Sequence, residues 1–144
     1  MKSIREMLEG KGRQCWTVAP GTPVFDALKL MAEKNVGALM VLDSNKLIGV
    51  FSERDYARKV ILMGKSSKDT AVREIMSENV VTVTPDDSIE ECMALMTDKR
   101  IRHLPVLEDD ELAGVISIGD VVKAIMSEQE FMIEQLEHYV SGQF

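Results

Sequence analysis

The chain has 144 residues, 45% hydrophobic and 28% charged, one domain's worth of ordinary globular composition. That excludes disordered, collagen-like and disulfide-scaffold readings, and a core of this size needs no metal or cross-link to form. Seventeen basic against 24 acidic residues leave a net charge of −7, which argues against a nucleic-acid binder but not against a small anion held by a few local donors.

In chain order, Met1-Lys-Ser-Ile-Arg-Glu-Met-Leu8 carries no apolar core of a secretory signal. Thr17-Val18 is a short extended piece stopped by Pro20. Val24 to Lys34 places apolar residues at 24, 27, 28 and 31, a helical stripe, and Asn35 and Gly37 suit a helix exit. Ala38 to Leu42 is a strand-sized apolar run, Asp43-Ser-Asn-Lys46 has turn chemistry, and Leu47 to Phe51 completes a hairpin. Ser52 then opens a helix expected to run to about Met63. No apolar run approaches the ~20 residues of a membrane span. Cys15 and Cys92 form neither a CxxC nor a zinc spacing, so a reduced, cytoplasmic protein is expected.

The same order then repeats. Thr17 to Ile61 written above Thr82 to Met126, at a constant offset of 65, gives fourteen identities over 45 ungapped positions, far beyond chance. Among them are Thr17/Thr82, Pro20/Pro85, Gly49/Gly114, Ser52/Ser117 and Asp55/Asp120. Upstream, Ile4-Arg-Glu-Met-Leu8 matches Val72-Arg-Glu-Ile-Met76 once three residues are skipped. The expected division is 1–63 for the first unit with its N-terminal helix, 64–71 for a polar linker, 72–126 for the second unit and 127–144 for a helical extension. One β-α-β-β-α unit cannot cover its own sheet. Two packed about a pseudo-twofold axis can, and they leave two equivalent clefts between them.

This duplicated unit, with Gly-Val-Phe-Ser-Glu-Arg-Asp55 and Gly-Val-Ile-Ser-Ile-Gly-Asp120 after its hairpins, resembles the CBS domain pair, named for the regulatory part of cystathionine β-synthase. Ser52-Glu-Arg-Asp-Tyr-Ala-Arg-Lys59 looks like the small stand-alone bacterial members. The resemblance implies an α/β fold of two packed repeats and a regulatory sensor of an adenosine-containing ligand: AMP, ADP, ATP, NAD or S-adenosylmethionine. It also implies that each cleft is shared between the repeats. The Asp55 cleft would then take Met76 to Val81 and Ile101-Arg102-His103. The Asp120 cleft would take Arg13 to Trp16, with Cys15 and Trp16, and Val36-Gly37-Ala38.

Ser-x-x-Asp has two readings. It is a capping box, serine accepting from the third helical amide and the acid returning to the serine amide. The same geometry puts a carboxylate, which can accept from both ribose hydroxyls, beside helix N–H groups that favour phosphate. A nucleotide presents that diol and that anion together. The two sites differ in charge. Arg54 and Arg58 share a helix face beside Asp55 and form either a phosphate clamp or a solvated basic face. Ile118 and Gly119 beside Asp120 carry no charge, and Lys123 is the nearest cation in sequence. Arg102 and His103 add to the Asp55 side, where the other repeat offers Gly37 and Ala38. His103 is either a ligand contact or a satisfied strand residue. Trp16 either flanks the base or fills the core.

Val122, Ile125, Gln129, Met132, Leu136 and Tyr139 alternate three and four apart on a helix expected from Gly119 to about His138. That helix either lies back on its own chain or forms a dimer seam. Phe25, Leu30 and Ala32 also exceed one apolar stripe, so a homodimer is expected. With two histidines, no nucleophile elbow and no phosphate-binding glycine loop, no catalytic set is visible. The rival functions are an adaptor acting through protein contacts with empty clefts, and a redox sensor using Cys15 or Cys92. The regulated protein partner is not encoded in the sequence.

Overall fold

The structure is a computed structural model that describes residues 3–142. Its elements are α1 (Ile4–Lys11), β1 (Thr17–Val18), α2 (Val24–Lys34), β2 (Ala38–Asp43), β3 (Lys46–Ser52), α3 (Glu53–Tyr56), α4 (Ile89–Lys99), β4 (His103–Glu108), β5 (Glu111–Ser117) and α5 (Ile118–Ser141). The expected two-copy α/β order is present. Its hairpins have the same register: β2 pairs β3 from Ala38↔Ser52 to Asp43↔Lys46, and β4 pairs β5 from His103↔Ser117 to Glu108↔Glu111. Both two-residue loops put both residues at positive φ, Ser44 and Asn45 in one, Asp109 and Asp110 in the other. That loop twist matches the twist of the strands it joins. Helices α2 and α4 end on left-handed residues, Asn35 and Arg100.

The two sheets differ at one edge. In the first half β1 pairs parallel with β2, Thr17↔Met40 and Val18↔Val41. In the second half only the bridge Val83↔Val106 remains. The cause is Pro105, which aligns with Met40. The Met40 amide donates to the Trp16 carbonyl at 3.2 Å, whereas Pro105 has no N–H to give the corresponding carbonyl of Val81.

The copies exchange their N-terminal arms. Helix α1 does not pack on the repeat that follows it. Ile4, Met7 and Leu8 join the second half's core with Val83, Ile89, Cys92, Leu104, Val106 and Ile116. Val72 and Ile75, on the 3-10 turn Val72–Glu74 and just after it, join the first half's core with Val24, Leu39, Val41 and Phe51. The backbone bonds correspond one to one: Arg5 N–H donates to Pro85 O and Arg73 N–H to Pro20 O, both at 2.9 Å. The bridge Ser3↔Ser88 in one crossing matches Pro23↔Ala71 in the other. Glycine leaves room for the incoming side chain at each crossing. A Cβ at Gly49 would stand 2.5 Å from Met76 Sδ, and one at Gly114 would stand 2.8 Å from Leu8 Cδ2, both inside van der Waals contact.

Two expectations are corrected. The helix after Ser52 does not run as an α-helix to Met63. After α3 it widens into a π-helical turn, Ala57–Ile61, with Leu62 N–H bonded to Ala57 O at 3.2 Å. Helix α5 begins at Ile118, capped by Ser117, and runs to Ser141, three residues beyond the expected end. Its first turns pack on the second-half core through Val121, Ala124 and Ile125. Beyond them Phe131, Met132, Ile133, Leu136 and Val140 are each more than half exposed.

Candidate functional site: an asymmetric pair of clefts

Ser52 and Ser117 close β3 and β5 and open the helices that follow, so each Ser-x-x-Asp stands where a strand turns into a helix. Both are complete capping boxes. Asp55 N–H donates to Ser52 Oγ at 3.2 Å, and Ser52 N–H returns to Asp55 Oδ2 at 2.9 Å. The corresponding bonds at Ser117 and Asp120 are 3.1 and 2.9 Å. The capping role is therefore real at both positions. It uses Oδ2 and leaves Oδ1 of Asp55 directed toward the opposite arm, where Ser77 Oγ donates to it at 3.3 Å and Lys59 Nζ lies at 3.4 Å. Asp55 is buried.

Asp55 lies on the wall of a cavity of about 1010 Å³ between the halves. The expected residues Ser52, Arg54, Asp55, Arg58, Val81, Ile101, Arg102 and His103 all line it. Met76 does not; it turns into the first-half core beside Gly49. Ser77, Asn79 and Val80, inside the expected stretch Met76 to Val81, line it as well, and so do Lys59, Lys99, Arg100 and Pro105, which the sequence did not point to. Ser77 and Asn79 come from the exchanged arm. Lys99 and Arg100 come from the end of α4, where the Arg100 carbonyl accepts from Arg54 Nη1 at 3.2 Å and ties the halves together.

The cavity is strongly cationic for a protein of net charge −7. Arg54, Arg58, Lys59, Lys99, Arg100 and Arg102 oppose only Glu53 and Asp55, a surplus of four positive charges. His103 adds none at neutral pH. Burial pushes its imidazole below the ordinary value and nearby Lys11 reinforces this, against the pull of Asp120 and Glu53. Its ring stands at the junction of the halves, within 3.6 Å of where a Cβ on Gly37 would be. Gly37, expected in the Asp120 cleft, thus also lines the Asp55 cavity.

Around Asp120 the charge differs from expectation. Lys123 is not the cation that meets it. Lys11, from the end of α1, donates to Asp120 Oδ2 and, at 2.6 Å, to the Val115 carbonyl. Burial alone would push the Asp120 carboxyl up; the Lys11 hydrogen bond and the Ser117 amide outweigh it and hold the group below its ordinary value. Gly119 sits in the first turn of α5. Cys15 is half-buried and within the field of Lys11, with burial raising its thiol. Trp16 packs on the first-half core with Lys34 Nζ 4.4 Å above its ring, so that face is already taken. Val36 lines an adjoining cavity of about 610 Å³ with Leu28, Met31 and Tyr56, which shares Gly37 and Glu53 with the first. Ala38 is buried opposite Ser52. Burial, with Asp87 and two glutamates, pushes Cys92 up to about 11, which tells against thiolate chemistry there.

The family profile described as CBS domain matches residues 12–61 and 72–127. The chain belongs to the CBS-domain family. It is 41% identical over 150 residues to the CBS domain-containing protein CBSX3, mitochondrial, of Arabidopsis thaliana, covering 97% of this chain and 72% of that one. Among solved structures, a putative signal-transduction protein with CBS domains from Burkholderia ambifaria MC40-6 superposes with a TM-score of 0.85 at 50% identity, covering 89% of this chain and 96% of that one. The CBS domain pair of protein MJ0100, in complex with 5-methylthioadenosine and S-adenosyl-L-methionine, shares the fold with a TM-score of 0.77 at 22% identity, covering 86% of this chain and 99% of that one. CBS pairs are commonly regulatory modules. No described helix is long and apolar enough to cross a membrane.

Proposed function

We propose that this CBS pair is a non-catalytic sensor of a phosphate-bearing adenine nucleotide, of the AMP, ADP or ATP type, bound in the Asp55 cleft. One observation carries the reading. The buried carboxylate of Asp55, suited to a ribose diol, shares a cavity with six cationic side chains and one other carboxylate, Glu53. Such a cavity disfavours S-adenosylmethionine, which is itself cationic at sulfur, although the MJ0100 pair binds it. NAD satisfies the diol and phosphate requirements but is larger. The base preference has a local basis. Pro105 leaves the Val81 carbonyl without the strand donor that the Trp16 carbonyl has, and both residues line the cleft. An exocyclic amine of adenine can supply that donor; uracil has no exocyclic amine and offers only its ring N3–H, flanked by two carbonyls.

Signalling follows from the construction. The ligand would touch α3 of one half, the arm and strand start of the other, and the end of α4, so binding changes how the halves pack. The partner that reads this change is a further protein, and the reduced cysteines fit a cytoplasmic setting. The apolar side chains of α5 beyond Met126 motivate a homodimer, since a monomer would leave them in water. Light scattering at micromolar concentration is expected to give twice the chain mass, and a monomer mass would reject the dimer.

Arg102→Ala tests the ligand reading. The variant should bind AMP about tenfold more weakly than the wild type, the loss of a charge-assisted phosphate contact. Its adenosine affinity should be nearly unchanged. Equal loss for both ligands contradicts a phosphate role for Arg102. Absence of nucleotide binding in the wild type would favour the adaptor reading, with both Ser-x-x-Asp motifs acting as caps alone.

A further inference from the structure

The two Ser-x-x-Asp corners differ at one contact. Ile4 stands over Val72 in the repeat, so Lys11 stands over Asn79. Both belong to the exchanged arms. Asn79 is neutral and lines the open Asp55 cavity. Lys11 bonds instead to Asp120, the carboxylate equivalent to Asp55. The backbone explains why. After the 3-10 turn at Val72–Glu74 the second arm leaves the helix, and Ser77 exchanges backbone bonds with Val50 at 2.9 and 3.1 Å in an isolated bridge. The first arm stays helical through Lys11. The equivalent of Val50 is Val115, and its carbonyl takes the Lys11 ammonium at 2.6 Å.

We propose that Lys11 closes the second cleft, its ammonium occupying the carboxylate that a ribose diol would need. This rests on the nucleotide reading of the clefts. The Lys11 and Asp120 side chains keep 33% and 25% of their exposure, so solvent screens their ion pair only in part. Lys59 beside Asp55 does not do the same. It is nearly half exposed, 3.4 Å from Asp55, and its hydrogen bond goes to the Ile75 carbonyl at 3.1 Å. A nucleoside entering the second cleft must therefore expel a tethered competitor, while one entering the first displaces only Ser77 Oγ and a loose ion pair. The clefts fill in order, Asp55 first. Filling the second frees the end of α1 at Gly12, whose φ of 99 marks a bend in the chain.

Adenosine is the probe, because an uncharged ligand does not use Lys11 as a phosphate partner. Lys11→Met keeps the side chain's length and apolar stem. By calorimetry the variant should gain one adenosine site per chain, or tighten a weak second site by about ten- to a hundredfold. Adding Asp120→Asn to Lys11→Met should remove the gained site. Thermal unfolding of each variant verifies that the arm still docks. An unchanged adenosine stoichiometry and affinity in folded Lys11→Met overturns the proposal, as does a weaker second site, which would make Lys11 a ligand contact. AMP titration of the wild type separates the two failures. If AMP binds once and Lys11→Met gains nothing, the closure is wrong and the sensor reading stands. If neither AMP nor adenosine binds any variant, both are wrong.

Discussion

Asp55→Ala is expected to weaken AMP binding by about 10- to 100-fold, or ~1.5–3 kcal/mol, the usual cost of removing a charged partner from buried hydroxyls. In the ligand-free protein Asp55 already accepts from Ser52 N–H, Ser52 Oγ and Ser77 Oγ. The ribose hydroxyls would replace the longest of these, the 3.3 Å bond from Ser77. The substitution also opens a capping box, worth about 1 kcal/mol of stability, and frees Ser77 on the exchanged arm. Binding and unfolding must therefore be measured on the same protein. An unfolding midpoint lowered without any loss of AMP affinity would leave Asp55 a cap and nothing more. The six cations of the cleft remain in the variant, so residual AMP binding measures what phosphate recognition contributes alone.

Leu8→Ala is expected to destabilise the protein by about 2–5 kcal/mol, the range for a fully buried leucine that leaves a cavity. Leu8 is fully buried and packs where Gly114 has no side chain. It belongs to the second half's core although it precedes the first half in sequence. The loss should appear in urea unfolding as one cooperative transition at a lower midpoint, because the exchanged arms make each half's core depend on the other's chain. Two separated transitions in the wild type, or a change below 1 kcal/mol in Leu8→Ala, would contradict the exchange.

Much of this was legible in the sequence because the duplication is ungapped from Thr17 to Ile61 and from Thr82 to Met126. Hairpins, helix exits and both Ser-x-x-Asp corners follow from local pattern, and the fold agrees with them. The arms were not legible as exchanged. Their match is offset by three residues from the main repeat, and nothing in Ile4–Leu8 says which core it fills. Lys11 was missed for the same reason: it meets Asp120 across 109 residues, while sequence proximity pointed to Lys123. The π-helical turn after Tyr56 carries no glycine or proline to announce it. The shortened sheet edge at Val83, by contrast, could have been read from Pro105, because a proline at the position of Met40 removes a specific ladder donor. Lys99 and Arg100 stand at the end of α4, where the left-handed Arg100 turns the chain and its carbonyl meets Arg54.

The Asp55 cleft is expected to select a ribose, a phosphate and an amine-bearing base together. Calorimetric titration of the wild-type chain with AMP and with UMP tests it most directly, because the two share the ribose phosphate and differ in the base. AMP should give a saturable heat with UMP binding clearly weaker. Equal heats and equal affinities for AMP and UMP would contradict adenine recognition, and no heat with either would contradict nucleotide sensing itself.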